Sequence, residues 1–268
     1  MLKKMYQVDA FTDELFKGNP AAVFYLEEFF PEHLMQSLAA ENNLAETAFV
    51  VSRGQYFDLR WFTPTHEAPF CGHATLATAH TLISEYGLSG PLEFHTVKVG
   101  KLKVTAKNDG FYELDIPRLE PQPCDLDLSD VLGVKPKYVF RNFENVFAVL
   151  DSSRHVRNFI PDLRLIEQVN AGGVAITAAG DEPAEADFVS RYFAPQGGIP
   201  EDPVTGSTHA SLVPYWAGQF QKNEMVAEQC SARGGLLQCT LTDERVFLGG
   251  KAITYMEATV RLPSLFDM

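Results

Sequence analysis

Two stretches of the sequence decide the fold: residues 74–86, ATLATAHTLISEY, and residues 207–218, STHASLVPYWAG. The first has no charged side chain before Glu85, and the second has none at all. A helix without a charged face is normally buried on all sides. We therefore predict that each stretch is a helix with a curved sheet wrapped around it. Pro214 is expected to kink the second helix or to end it early.

Short runs rich in valine, phenylalanine, tyrosine and threonine lie before and after both stretches. Each run begins and ends near glycine, proline, asparagine or aspartate, as is typical of strands. They are MYQVDAF, AAVFYL, TAFVVS, YFDLRWF, LEFHTV, KLKVTA and FYELDI in the first half, and KYVFRNF, NVFAVL, GVAITA, DFVSRYF, LLQCTL, RVFLGG and AITYMEATV in the second. Residues 31–43, PEHLMQSLAAENN, have the apolar spacing of an amphipathic helix. The sequence thus predicts few helices and many strands.

The two halves of the chain resemble each other. WFTP at residues 61–64 parallels YFAP at residues 192–195, and a loop followed by an uncharged stretch comes after each. Further on, TxxxGxLxV from residue 96 parallels SxxxGxLxC from residue 231. Three features in the same order indicate a duplicated lobe. The proline-rich residues 117–123, PRLEPQP, mark the boundary, so we predict lobes of residues 1–118 and 119–268, with the C-terminal strand a candidate addition to the first.

Composition narrows the class of protein. The formal net charge is −13, and no cluster of lysine or arginine stands out, so nucleic acid is not an expected partner. No apolar run is long enough to cross a bilayer, and the first residues do not form a signal peptide. Four cysteines in 268 residues do not make a disulfide framework, which favours a cytoplasmic location.

The loops before the two uncharged stretches are the best candidates for chemistry. They are EAPFCGH, residues 67–73, and GGIPEDPVTGS, residues 197–207. Each places glycine at a helix N-terminus, where free N–H groups and the positive end of the dipole favour an anion. Two such ends facing one cleft between the lobes could hold a carboxylate and a developing enolate. The alternative is that the glycines only permit tight turns.

Each loop also carries titratable side chains. His73 lies in the first turn of its helix, and Cys71 precedes it at a helix end where a thiol ionises more readily. The partner loop contributes Asp202. Each has a structural alternative: His73 as a hydrogen-bonded turn residue, Cys71 as a small buried apolar residue, and Asp202 as an N-cap or turn residue.

Two further polar residues flank strands. Glu46 stands at the head of the apolar run TAFVV, where a carboxylate is usually solvated. If Glu46 points into a cleft instead, burial would raise its pKa toward the range in which a carboxylate works as a general acid and base. Asn19, in GNPAAV, is a candidate helix cap or substrate donor, and a turn before proline is the alternative.

Several common motifs are missing from the sequence. It has no P-loop, no GxGxxG after a strand and no GxSxG nucleophile elbow. It has neither HExxH nor paired CxxC, and Cys71 with His73 gives too few ligands. A metal site is therefore not indicated.

Six segments, in order along nearly the whole chain, resemble the phenazine-biosynthesis (PhzF-like) family. They are DAFTDELFKGNPAAVF, AETAFV, CGHATLA, GIPEDPVTGSTHA, CSARGG and GGKAITYMEATV. The resemblance implies the α+β fold shared with diaminopimelate epimerase and proline racemase. In that fold, two pseudo-symmetric lobes each form a barrel-like, mostly antiparallel sheet around a central helix.

The resemblance also implies roles for individual residues. Glu46 matches the family's proton-shuttling glutamate. The substrate would be held by His73, Asp202 and Ser207, with backbone donors at Gly72 and Gly206. Cys71 matches one of the two catalytic cysteines of the related epimerases, but the second loop has no cysteine, which favours a shuttle with one carboxylate.

The sequence thus predicts a cofactor-independent isomerase of a small carboxylate metabolite, with Glu46 as acid and base. His73 and Asp202 are predicted as further catalytic residues that orient the substrate or relay protons, and Asn19 and Cys71 are among the substrate-binding residues. One alternative is a racemase or epimerase that uses Cys71 with a carboxylate partner. Another is a non-catalytic protein that binds small molecules or a partner. A homodimer is expected from the resemblance only.

Overall fold

The computed structural model describes residues 1–181 and 185–262 of the chain. The chain divides into two compact units. Unit 1 comprises Met1–Phe16, Pro20–Leu114 and the segment that starts at Lys251, and unit 2 comprises Lys17–Asn19 and Asp115–Gly250. Each unit is therefore assembled from segments that are not contiguous in the sequence.

Strands make up most of the regular structure. In chain order they are β1 (Leu2–Ala10), β2 (Asn19–Leu26), β3 (Glu46–Ser52), β4 (Phe57–Phe62), β5 (Glu67–Ala68), β6 (Leu92–Thr96), β7 (Lys101–Ala106), β8 (Phe111–Pro117), β9 (Gln122–Pro123), β10 (Tyr138–Arg141), β11 (Asn145–Val149), β12 (Gly173–Ala179), β13 (Phe188–Ala194), β14 (Ile199–Asp202), β15 (Glu224–Gln229), β16 (Gly235–Leu241) and β17 (Arg245–Arg261). The helices are α1 (Glu32–Asn42), α2 (Gly72–Ser84), α3 (Ser129–Leu132), α4 (Ser153–Asn158), α5 (Leu163–Glu167) and α6 (Gly206–Phe220), with short 3-10 turns at Asn108–Gly110 and Pro195–Gly197.

In unit 1, the described strands close an eight-strand barrel. Strand β1 pairs antiparallel with the second half of β17 and also pairs with β2. Strands β2 and β3 are parallel, β3 and β4 antiparallel, β4 and β6 parallel, and β6 and β7 antiparallel. Between the sheet and α1, the rings of Phe24, Phe49 and Phe62 pack on one another. The predicted α+β barrel is confirmed.

Helix α2 is the central helix of unit 1. Every residue from Gly72 to Leu82 is buried, and the helix packs against β1, β3 and β7. Its threonines are satisfied within the helix, because the hydroxyls of Thr75, Thr78 and Thr81 donate to the carbonyl oxygens four residues earlier, at 2.5, 2.6 and 2.9 Å. Because these hydroxyls are hydrogen-bonded, the helix can be buried on all sides, as its lack of charged residues predicted.

Unit 2 repeats the strand pairing of unit 1 in the same order. Strands β11 and β12 are parallel, β12 and β13 antiparallel, β13 and β15 parallel, and β15 and β16 antiparallel. Strand β17 then pairs antiparallel with β16 through its first half. Its helix α6 takes the place that α2 has in unit 1, packing on β15 and β16. The pseudo-symmetry predicted from the repeated motifs is present in the topology.

Helix α6 continues past its internal proline. It runs six residues beyond Pro214, to Phe220, so the prediction that Pro214 ends it early is wrong. Because proline has no N–H, the carbonyl oxygen of Ala210 loses its usual helical donor. The backbone N–H of Leu119 donates to that oxygen instead, at 3.0 Å. The proline-rich segment thus satisfies the carbonyl that the proline leaves unpaired.

Several elements differ from the prediction. Strands β5, β9, β14 and β15 and the short helices α3, α4 and α5 were not predicted. The runs RVFLGG and AITYMEATV form one strand of 17 residues rather than two. The four cysteines are free, as expected. In the described part of the chain, the helices are too short or too polar to span a membrane.

Candidate active site

Glu46 is the first residue of β3 in unit 1, and it is buried. It lies beside Ala21 of the parallel strand β2, and only 8% of its surface is exposed. The alternative of a solvated strand end is therefore wrong. Burying a carboxylate costs free energy unless charged or polar groups contact it. The residues around Glu46 therefore determine what its carboxylate can do.

Two of these neighbours come from the start of α2. The Nε2 atom of His73 lies 3.2 Å from Oε2 of Glu46, and both side chains are buried. Among the described residues, this oxygen has no well-aligned hydrogen bond, so its contact with the imidazole lacks ideal hydrogen-bond geometry. Sγ of Cys71 lies 3.5 Å from Nδ1 of the same imidazole and 4.0 Å from Nε2. The structure thus brings together Glu46, His73 and Cys71.

The N-terminus of α2 adds an electrostatic element to this cluster. Cys71 is its N-cap residue, and no side-chain hydrogen bond caps the first turn. Gly72 and His73 are the first two residues of this 13-residue helix. The first N–H groups of a helix have no intrahelical acceptor and carry the positive end of its dipole. This end of α2 therefore favours negative charge.

In unit 2, the corresponding loop is built around Asp202, the last residue of β14. Both oxygens of its buried carboxylate accept hydrogen bonds, Oδ1 from Nδ2 of Asn19 at 2.7 Å and Oδ2 from Oγ1 of Thr205 at 2.5 Å. The Asn19 amide also donates to the carbonyl oxygen of Val204 at 2.9 Å. Neutral donors at both oxygens stabilise the ionised form of a carboxylate. Asn19 therefore acts as a brace for this loop, rather than as a helix cap.

Gly206 and Ser207 are the first two residues of α6, and Thr205 is its N-cap. The Thr205 side chain does not cap the helix; its hydroxyl donates to Asp202 and accepts from Nε2 of Gln229 at 3.1 Å. Gly206 is buried and Ser207 is partly exposed. As in α2, the first turn of this 15-residue helix thus lacks a side-chain cap.

A family model described as phenazine biosynthesis-like protein, PhzC-PhzF, matches residues 8–258. The chain belongs to the PhzF family. The "uncharacterized isomerase PA3578" of Pseudomonas aeruginosa is 43% identical to it over 98% of the chain and 100% of that protein. With relatives named as isomerases over their full length, this PhzF-family chain is an isomerase.

Solved structures agree with the fold. A PhzF-family phenazine biosynthesis protein of Enterococcus faecalis has a TM-score of 0.92 and 42% identity, covering 98% of this chain and 100% of that one. A hydroxyproline epimerase of Agrobacterium vitis has a TM-score of 0.68 at 9% identity, covering 97% and 92% of the two chains. At that identity, the second likeness shows the fold alone.

Several residues that hold the Asp202 loop of this PhzF-family chain were not predicted from the sequence. Gln229, at the end of β15, is fully buried; its Oε1 accepts from the Thr205 backbone N–H at 2.7 Å, and its Nε2 donates to the Asp202 carbonyl oxygen at 2.7 Å. Arg233, in the CSARGG segment, donates from Nε to the carbonyl oxygen of Gly18 at 2.8 Å, next to Asn19. The segment was part of the resemblance, but no local pattern reveals these bonds.

His209, one turn into α6, was also missed. It is fully buried, and its Nδ1 lies 2.8 Å from the Thr205 carbonyl oxygen. Burial lowers the pKa of His209 to about 4, so the ring is neutral near pH 7 and its Nδ1–H donates to that oxygen. The bond fixes the backbone at the start of α6.

Proposed function

We propose that this isomerase moves a proton on a small carboxylate metabolite without a cofactor, with Glu46 as both base and acid. The observation that carries the proposal is the buried Glu46 carboxylate with the His73 imidazole at 3.2 Å. A buried acid–base pair of this kind suits proton abstraction from one carbon and proton delivery to another.

The proposed reaction has two steps. Glu46 takes a proton from a carbon conjugated with the substrate carboxylate, and the electron pair of the broken C–H bond delocalises into an enolate. The protonated Glu46 exchanges its proton with solvent and then delivers a proton to a different carbon, which shifts the double bond and regenerates the carboxylate. His73 keeps the Glu46 side chain in position through both steps, since it faces Oε2.

Charge that develops in the enolate needs donors that are already oriented. The uncapped first turn of α2, at Gly72 and His73, supports such a role in unit 1. The uncapped turn of α6, at Gly206 and Ser207, supports a carboxylate-binding role in unit 2. Because both Asp202 oxygens accept hydrogen bonds, we assign Asp202 to holding the α6 loop, with Asn19, rather than to moving protons. That the two loops serve one substrate stays a prediction.

A racemase or epimerase mechanism is the second candidate. It is favoured by the contact of 3.5 Å between Cys71 Sγ and His73 Nδ1, since an imidazole next to a thiol can act as its base. In this mechanism, Cys71 and the Glu46 carboxylate would act as the two opposed bases.

The test is exchange of a substrate proton with solvent deuterium. The purified protein is incubated with the carboxylic-acid fraction of a metabolite extract in deuterated buffer, and mass spectrometry detects acids that gain one deuterium. We expect Glu46→Gln to reduce the rate by about 100- to 10,000-fold, because the amide cannot accept the proton. Glu27→Gln, at a carboxylate with 86% of its side chain exposed, is the matched control.

Two outcomes would contradict the proposal. One is unchanged exchange in a Glu46→Gln variant whose circular dichroism and melting temperature match the parent chain. The other is the lack of exchange on any acid that binds the unmodified protein. The homodimer and the cytoplasmic location also stay predictions, and light scattering during size exclusion tests the first.

A further inference from the structure

The cluster in unit 1 has the composition of a metal site. One ligand atom from each of Glu46, Cys71 and His73 can be chosen so that all three lie within 4.8 Å of one another. In the sequence, Cys71 and His73 alone are too few ligands to indicate a metal site. The folded chain supplies the third ligand, from a strand that begins 25 residues before Cys71.

The spacing of these atoms is close to that of a tetrahedral site. With metal–nitrogen and metal–oxygen distances of about 2.0 Å and a metal–sulfur distance of about 2.3 Å, ligand atoms lie roughly 3.3 to 3.5 Å apart. The His73 Nε2 atom lies 3.2 Å from Glu46 Oε2 and 4.0 Å from Cys71 Sγ. Sγ of Cys71 lies nearer to Nδ1, at 3.5 Å, so the thiol must rotate toward the Nε2 side of the ring for one ion to bind all three ligand atoms.

The ligand types select the ion. Thiolate and imidazole favour Zn²⁺ and similar soft or borderline cations, whereas Mg²⁺ and Ca²⁺ prefer oxygen ligands. One thiolate and one carboxylate neutralise a divalent cation, so the loaded cluster has no net charge. That balance matters because all three residues are at least nine-tenths buried.

We propose that Glu46, Cys71 and His73 bind a thiophilic divalent cation of the Zn²⁺ class, and that the bound ion switches the isomerase off. Three protein ligands leave the fourth position of a tetrahedral ion open. The ion occupies the lone pairs of Glu46 and His73, so Glu46 can no longer accept a proton from carbon. The inhibition rests on the proposed function, but the binding does not.

Binding is tested with Co²⁺ as the probe, because its thiolate complexes absorb in the near ultraviolet and its tetrahedral complexes absorb strongly in the visible. We expect the metal-free protein to develop both bands on titration with Co²⁺ and to lose them on addition of Zn²⁺. Cys71→Ser should abolish the thiolate band. Cys230→Ser is the matched control and should keep it, because burial raises the pKa of the Cys230 thiol to about 11.

The other two ligands are tested by competition with a chromophoric zinc chelator. Glu46→Gln and His73→Gln should each weaken Zn²⁺ binding by at least about 10-fold. Circular dichroism establishes whether each variant is folded. If one variant does not fold, the other is sufficient for the test. A thiolate band that persists in Cys71→Ser, or no band in the unmodified protein, would overturn the metal site.

The consequence for activity is measured separately. Zn²⁺ at saturation should reduce deuterium exchange by at least about 100-fold, a chelator should restore it, and Mg²⁺ should have no effect. Full exchange in the zinc-loaded protein would overturn the switch. Failure of the metal-free protein to exchange would count against the proposed function, while the cobalt spectra would still decide the metal site.

Discussion

The two central helices begin in different ways, although the units around them have the same topology. In unit 1, the start of α2 brings a thiol and an imidazole to a buried carboxylate. In unit 2, the start of α6 surrounds a buried carboxylate with neutral donors at 2.5 and 2.7 Å. Two copies of one fold can thus differ in function: one places reactive groups at the start of its central helix, and the other places a hydrogen-bonded structural carboxylate there.

The largest expected effect is on stability, and it distinguishes the buried carboxylate of unit 2 from that of unit 1. Asp202→Ala removes the acceptor that the Asn19 amide and the Thr205 hydroxyl share, so we expect it to lower the free energy of unfolding by about 3 kcal/mol. Glu46→Gln should lower it by less than about 1 kcal/mol, because the contact with His73 is not a well-aligned hydrogen bond. Urea denaturation measures both. Equal losses would mean that the two carboxylates do not differ in this way.

Acidification provides a second way to probe unit 2. The pKa of His209 is about 4 in the folded chain and 6.5 in its ordinary state, so between these values the unfolded chain binds more protons. Stability from the neutral ring is thus present above pH 6.5 and is lost as the pH falls. From pH 7 to pH 5 the loss is about 2 kcal/mol.

His209→Gln should remove that part of the pH dependence, which is read as the difference between the urea denaturation curves of the two proteins at each pH. Part of the slope will remain, because burial also lowers the pKa of His80 in unit 1. If the variant and the parent lose stability equally between pH 7 and pH 5, then His209 is not held neutral in the folded chain.

The smallest expected effect concerns the thiol. Under the one-carboxylate mechanism, Cys71→Ser in metal-free protein should change the rate of deuterium exchange by no more than about threefold, which is less than 1 kcal/mol in the barrier. Under the racemase mechanism it should lower the rate by orders of magnitude, because serine is a far weaker base. The same exchange assay distinguishes the two, with Cys230→Ser as the reference.

The sequence was sufficient for the parts of the fold that depend on composition. The central helices were recognisable because α2 and α6 lack charged faces, and the repeat of topology followed from paired motifs. The helices α4 and α5 were missed because they have only six and five residues, too few for a period. Their N-cap residues, Ser152 and Asp162, are of types that favour this position in a sequence. In the structure, both accept hydrogen bonds from the first turns.

The site was predictable only as a set of residues. Sequence places Glu46 at the head of a strand, but it does not say that the side chain is buried against His73, 27 positions later. Gln229 was invisible for a similar reason, since its bonds to Asp202 and Thr205 span 27 and 24 positions. Such long-range contacts arise from tertiary packing, and no local period encodes them.

The long strand β17 has a consequence for how the chain folds during synthesis. Its first half pairs with β16 in unit 2, and its second half is the antiparallel partner of β1 in unit 1. On the ribosome, unit 2 has all its residues once Gly250 has emerged, whereas β1 still waits for its partner. Domains generally fold in the order of synthesis, N-terminal first. Here the N-terminal unit is completed last, so its unpaired strand edge stays open to nascent-chain chaperones, or to misassembly, for most of translation.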